Sequence, residues 1–199
     1  MFWDKVSPLY DFFETVYNRR VYTNTGKCVA AYVSEQDTVL ECACGTGAIS
    51  EPLAQKCRCL IATDMAEGML RQTYKKCSKY GNVKVRRADL THLKCRDNRF
   101  DKVVAGNVIH LLDDPEAALR ELLRICKPGG RVIIPTYINR EGTGQRKIVK
   151  LLEKMGASFK RQFDFASYRQ FFADAGFPDA EFCVVEGRMP CAIAVLSKM

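Results

Sequence analysis

Glu41, Ala43, Gly45 and Gly47 stand at alternate positions in VLECACGTGAIS, Val39 to Ser50. An acid closes a short apolar run, two glycines follow, and then comes a stretch able to form a helix. Glycine lets the chain turn tightly and lets a ligand approach the backbone closely. Asp64 closes the next apolar run, about 20 residues on, the spacing at which a carboxylate can accept both hydroxyls of a ribose. A lone G-x-G carries little weight. A run, a G-x-G, a helix, a second run and an acid at this distance together point to an adenosine-containing ligand.

Charge narrows the ligand. A dinucleotide brings a pyrophosphate to the helix N-terminus, and such sites favour G-x-G-x-x-G or G-x-G-x-x-A. Ala43, Gly45 and Ala48 match that only loosely. Glu41, ahead of the turn, would repel a phosphate and welcome an ammonium. S-adenosylmethionine carries an ammonium and a sulfonium and no phosphate, so the charge logic favours it. An NAD(P)-dependent oxidoreductase and a non-catalytic cofactor-binding protein remain the alternatives from another class.

These residues need strands that end together. Thr38 to Cys42, Cys59 to Thr63, Asn82 to Ala88, Asp101 to Ala105 and Arg131 to Tyr137 read as strands. Ala48 to Gln55 reads as a helix, and Met65, Met69, Leu70 and Cys77 recur at helical spacing. Asp113 and Asp114 precede Pro115, so an acid stands at the N-cap and proline at the first helical position. Leu119, Leu122, Leu123 and Cys126 form that helix's apolar face, and Lys127, Pro128, Gly129 and Gly130 stop it. The alternation implies a parallel sheet covered by helices on both faces. After Tyr137 come a loop and helix over Gly142 to Gly156, a helix over Ser167 to Ala175, and two runs, Ala180 to Glu186 and Cys191 to Leu196, forming an antiparallel hairpin.

Composition excludes other classes. With 199 residues, 47% hydrophobic and 27% charged, the chain suits one soluble domain. No apolar stretch approaches the roughly 18 residues that a bilayer span requires. Asp4 and Lys5 interrupt the N-terminus where a secretory signal would be apolar, which points to the cytoplasm and to reduced thiols among the 10 cysteines. Cys42-x-Cys44 and Cys57-x-Cys59 lack the Cys-x-x-Cys spacing of structural zinc, so no metal is expected. The net charge of +8 is concentrated between Arg71 and Arg99, where ten basic residues face only Asp89 and Asp97. His92 reads as a solvated loop residue.

VLECACGTG, Asp64 in ATDMAEGML, Asp89 in RRADL and FDKVVAGNVIHLLDDPEAALRELLRICKPGGRVII resemble the class I S-adenosylmethionine-dependent methyltransferases. The resemblance spans residues 37–137, and the tail SYRQFFADAGF…EGRMPCAIAVLSK is similar to the branch that includes ubiquinone- and menaquinone-pathway methyltransferases. It implies an α/β, doubly wound, Rossmann-like sheet of seven strands, mostly parallel with the C-terminal antiparallel hairpin. It implies N-terminal lid helices over 1–35, a cofactor-binding core over 36–137, substrate-side helices over 138–178 and the hairpin over 179–199. It also implies roles. Glu41, Ala43, Gly45 and Gly47 would hold the methionine end, and Asp64 the ribose. Met65 would pack on the adenine, whose amino group Asp89 would accept beside Leu90. Asn107 and Val108 would contact the methionine moiety through their backbone, and Tyr10 would close over the cofactor. Ala43 departs from the family, which usually has a first glycine there.

Methyl transfer from positive sulfur needs alignment and exclusion of water. It needs a base only if the acceptor arrives protonated, and His110, just past the fourth strand, is the candidate. Of 20 aromatics, eight lie in residues 1–32 and nine in residues 137–182. They serve either as core anchors or as walls of an apolar pocket under a lid built from residues 1–25 and 140–170. Tyr17 and Tyr137 are the candidate substrate contacts. A small apolar or aromatic acceptor is therefore expected. The basic segment, on an outer strand, reads as a solvated edge that suppresses pairing between sheets. An RNA acceptor, tRNA or rRNA, is the alternative it leaves open.

Overall fold

Strict alternation fails in the first apolar run. Val39, Leu40, Glu41 and Cys42 are all buried in β1 (Thr38–Cys42), as in a strand covered on both faces. The computed structural model describes residue 3, residues 18–139 and residues 160–199. Tyr10, Tyr17, the stretch 142–156 and most of the expected lid lie outside these. β1 pairs in parallel with β2 (Cys59–Asp64) on one side and β4 (Phe100–Ala105) on the other. β3 (Val83–Arg87) adds to β2, and β5 (Cys126–Tyr137) adds to β4, both in parallel. β7 (Cys191–Ser197) runs antiparallel between β5 and β6 (Glu181–Val185). The seven strands lie in the order β3-β2-β1-β4-β5-β7-β6, the expected doubly wound sheet with its terminal hairpin. The order reverses between β1 and β4, and a crevice opens there at the carboxyl ends of the strands.

Helices cover both faces. On one, α1 (Arg19–Ala30), α2 (Ser50–Ala54) and α3 (Glu67–Cys77) bring Val21, Val29, Leu53 and Leu70 against Leu60, Ala62, Val104 and Ile133. On the other, α4 (Pro115–Ile125) and α5 (Phe165–Asp174) bring Leu119, Leu122, Tyr168 and Phe172 against Val103, Val132, Ile134 and Ala194. α4 starts where its punctuation predicts, with Asp114 accepting from the Ala117 N–H at 2.8 Å. Asp164 and Ser167 close a reciprocal capping box on α5.

Two local expectations need correction. The helix read over 48–55 begins only at Ser50, because residues 45–49 are spent on the turn. α4 ends at Ile125, so Cys126, expected on its apolar face, is outside it, and the stop signal Lys127 to Gly130 lies within the sheet. β5 already starts at Cys126, and its register against β4 jumps between Phe100 and Lys102. The bulge is tied down by the far end of the chain: Gly129 N–H donates to Lys198 O, and Lys198 N–H donates to Gly130 O.

The C-terminal aromatics act mainly as anchors. Phe163, Tyr168, Phe171, Phe172 and Phe182 meet edge-on or tilted, with centroids 5.0–6.2 Å apart. The Tyr168 hydroxyl donates to the Ile134 carbonyl inside this cluster. None of the ten cysteines is joined to another in a disulfide. β3 is an outer strand, with Lys84 and Arg86 exposed and Val83 and Val85 half-buried. Among the described residues, no helix is long and apolar enough to cross a membrane.

Candidate active site

A cavity of about 430 Å³ opens at the carboxyl ends of β1, β2 and β4. Parallel strands end on the same side, so acids far apart in sequence meet there. Glu41 comes from the end of β1, Asp64 from the end of β2 and Asp89 from just past β3, and all three line the wall. So do Ala43, Gly45, Met65, Leu90, Asn107, Val108 and Tyr137. Two named residues are not brought to the wall, Gly47 and His110.

The turn after β1 is wound in the left-handed region. Ala43, Gly45 and Gly47 have φ of +53°, +56° and +86°. Gly47 serves the turn by packing: a Cβ there would stand 3.2 Å from Thr73 Cα. The Thr73 hydroxyl donates to Gly45 O at 2.7 Å and fixes the turn from α3. Ala43 holds a conformation that costs an L residue about 1–2 kcal/mol. Ala43→Gly should therefore stabilise the fold by about 0.5–1 kcal/mol after the glycine's extra unfolded entropy is subtracted. A thermal melt reads this as a midpoint rise of about 2 °C. An unchanged or lower midpoint would mean that the strain is relieved elsewhere.

Asp64 is held ready. Its Oδ2 accepts from the Gly45 N–H and its Oδ1 from the Ala66 N–H, both at 2.9 Å. The first bond ties the end of β2 to the glycine turn. Asp89 accepts from the Thr91 N–H at 2.9 Å and the Thr91 hydroxyl at 2.7 Å. Partial burial pushes its pKa up, but the Thr91 donors and the nearby His92 outweigh this and leave it below the usual value. Glu41 is only 1% exposed. Burial pushes its carboxyl up to about 8, the Ser50 hydroxyl that donates to it at 2.5 Å opposes this, and the charge of Asp64 adds to it. Asn107, at φ +53°, accepts from the Tyr137 N–H at 3.1 Å, which joins the ends of β4 and β5.

His110 lies in a 3-10 turn, Ile109–Leu111. Leu111 and Leu112 line the cavity, while His110 is buried away from it. Burial lowers its pKa to about 4. Its carbonyl accepts from the N–H groups of Lys160 and Arg161. A neutral imidazole outside the wall is not placed to take a proton there.

Several wall residues carry no local signal in the sequence. Tyr22 and Thr25 reach the cavity from α1, and Trp3, Thr46 and Met69 also line it. Glycine within α1 was the available clue. A Cβ at Gly26 would stand 2.7 Å from Pro52 Cγ and 2.8 Å from Ala48 O, so α1 sits close against the segment that follows the turn. Thr25 is 4% exposed, and its Oγ1 has no hydrogen-bond partner among the described residues.

The donor set suits S-adenosylmethionine. Carboxylates wait at two strand ends, an acid stands beside the glycine turn, and the apolar Met65 and Leu90 line the wall next to Asp64 and Asp89. No lysine or arginine is among the described wall residues, so nothing there is built for a pyrophosphate.

Comparison with known proteins agrees. Residues 40–134 match the family described as Methyltransferase domain. A demethylmenaquinone methyltransferase of Clavibacter sepedonicus is 35% identical over 135 residues, covering 66% of this chain and 54% of that protein. The chain thus spans about half that relative's length. A demethylmenaquinone methyltransferase of Lactiplantibacillus plantarum is 27% identical over 206 residues, covering 90% of this chain and 87% of that protein. Among solved structures, a S-adenosylmethionine-dependent methyltransferase of Thermotoga maritima shares the fold with a TM-score of 0.76 at 23% identity, over 100% of this chain and 99% of that one.

Proposed function

This chain belongs to the class I S-adenosylmethionine-dependent methyltransferases, and on that premise we propose that it methylates a small apolar or aromatic molecule. The observation that carries this is the division of the cavity wall. Glu41, Asp64 and Asp89 stand on the side of β1 to β3, whereas Val108, Leu111, Leu112 and Tyr137 form the side of β4 and β5. The relatives named for demethylmenaquinone support an acceptor with an apolar ring.

When bound, S-adenosylmethionine supplies a methyl group on positive sulfur, open to displacement by an electron pair of the acceptor. The protein's own part is alignment and exclusion of water. Asp64, braced by two backbone donors, takes the ribose hydroxyls. Asp89 accepts the adenine amino group while Leu90 and Met65 flank the ring. Glu41, Ala43 and Gly45 border the amino-acid end, with Gly47 shaping the turn and the backbone of Asn107 and Val108 alongside. Tyr137 faces the acceptor, and no base is drawn from His110.

The test supplies S-adenosylmethionine with a labelled methyl group to the protein and a cell extract, then separates lipid, small polar, RNA and protein fractions. Label in lipid or small molecules, lost in Asp64→Ala, is the expected result. Label in RNA would replace this reading with the one that makes the basic edge of β3 a docking surface. Such binding would weaken steeply with salt.

A further inference from the structure

Among the described residues, the wall of the cavity offers no cation to one part of the cofactor. S-adenosylmethionine has a carboxylate at its amino-acid end. The acids Glu41, Asp64 and Asp89 line the cavity, and no lysine or arginine among the described residues does so to meet it. Three backbone donors near the turn are spent. Gly45 N–H goes to Asp64, Gly47 N–H to Cys44 O and Cys44 N–H to Thr63 O. Farther round, Asn107 N–H goes to Pro135 O and Tyr137 N–H to the Asn107 side chain. Lys76 donates to the Tyr22 hydroxyl at 2.9 Å and does not itself line the cavity.

Among the described wall residues, the Thr25 side chain offers an unspent donor. Thr25 is 4% exposed and lines the cavity, and its Oγ1 has no partner among the described residues. A buried hydroxyl without a partner keeps an uncompensated desolvation cost, which a ligand can offset. Its place is also right. With Asp64, Asp89, Met65 and Leu90 taking the adenosine, the amino-acid end extends the opposite way, past the glycine turn. Gly26 seats α1 directly on Ala48 and Pro52 beyond that turn, which brings Thr25 alongside.

We infer that Thr25 is a positioning residue whose hydroxyl donates to the carboxylate of S-adenosylmethionine and so joins α1 to the bound cofactor. The inference rests on the assignment of this cavity to that cofactor. It adds a consequence. Tyr22 lies one turn before Thr25 on the same helix and also lines the cavity. Loading the cofactor therefore fixes α1, and with it the part of the cavity wall that Tyr22 forms, before the acceptor enters.

The test is calorimetry on wild type, Thr25→Val and Thr25→Ser with two ligands. One is S-adenosylmethionine. The other is its decarboxylated form, which keeps the adenosine, sulfonium and ammonium and lacks only the carboxylate. Thr25→Val should weaken S-adenosylmethionine by about tenfold or more, as a lost hydrogen bond to a charged group does. Thr25→Ser should restore most of that, and decarboxylated ligand should bind wild type and Thr25→Val alike. Without ligand, Thr25→Val should melt at or above wild type, because an isosteric methyl replaces an unpaired hydroxyl. Equal binding of S-adenosylmethionine by wild type and Thr25→Val would overturn the inference. So would equal weakening of both ligands together with a lower melting point, since that marks a packing role. Failure of wild type to bind at all would overturn the cofactor assignment along with it.

Discussion

Replacing Asp64 with alanine should weaken S-adenosylmethionine binding by about 100-fold, the largest loss expected from any single change in the wall. The proposed role gives Asp64 two hydrogen bonds from ribose hydroxyls, each worth about 1.5 kcal/mol or more, and alanine removes both. The second cost is internal. Asp64 Oδ2 anchors the Gly45 N–H and Oδ1 the Ala66 N–H. Alanine releases both donors, so the glycine turn keeps its Cys44 N–H to Thr63 O bond but loses its side-chain tie to β2, and the start of α3 loses its lead-in. Asp64→Asn separates these effects. One amide oxygen still accepts from a backbone N–H, but the charge is gone and the NH2 confronts a second donor, so the loss should be intermediate. Calorimetry measures the affinities, and a melt without ligand shows how much of the change is stability. Asp64→Ala with wild-type affinity would remove the ribose assignment and with it the orientation of the cofactor.

The parts of this site that could be read in the sequence are those that hang on strand ends. Glu41, Asp64 and Asp89 each follow a β-type run, and a parallel sheet converts that local fact into a spatial one, since its carboxyl ends share an edge. The helix start at Pro115 was open to reading for a similar reason, because a cap acts within one turn, whereas the helix expected from Ser167 starts at Phe165 behind the Asp164 cap. What escaped depends on contacts between distant segments. The bulge at residues 127–130 is held by Lys198, and no local pattern announces that partner. Thr25 and Tyr22 reach the cavity because Gly26 lets α1 approach Pro52, a matter of packing between helices. His110 follows the fourth strand at the right distance, yet one 3-10 turn sends Leu111 and Leu112 into the cavity and the imidazole out of it. Position in sequence settles which end of the sheet a residue occupies, while the local winding settles which way it points.

Binding of S-adenosylmethionine should also release a proton at neutral pH, and the source is Glu41. Burial first of all, opposed by the Ser50 hydroxyl and aided by Asp64, pushes its carboxyl up to about 8. At pH 7 the free protein therefore holds a proton on Glu41. An ammonium placed beside it favours the ionised form. Below about pH 8 the complex binds fewer protons than its components, so affinity should rise with pH between 6 and 7.5. The cost of ionising Glu41 at pH 7 is about 1.4 kcal/mol, or tenfold in affinity. Above that window the ligand's own amino group, with an ordinary value of about 7.7–8.0, begins to lose its charge and reverses the gain. Stability without ligand has the opposite sign. The folded pKa lies above the unfolded one, so Glu41's contribution is complete below the unfolded value and is lost as pH rises through about 8. The free protein should thus melt lower at pH 8 than at pH 6, while the shift produced by S-adenosylmethionine grows over the same range. Glu41→Gln should flatten both slopes, since it cannot titrate. Calorimetry in two buffers of different ionisation enthalpy counts the protons directly, and wild type should release close to one per cofactor at pH 7. If Glu41→Gln releases as many, the proton comes from elsewhere, and Glu41 does not face the ammonium.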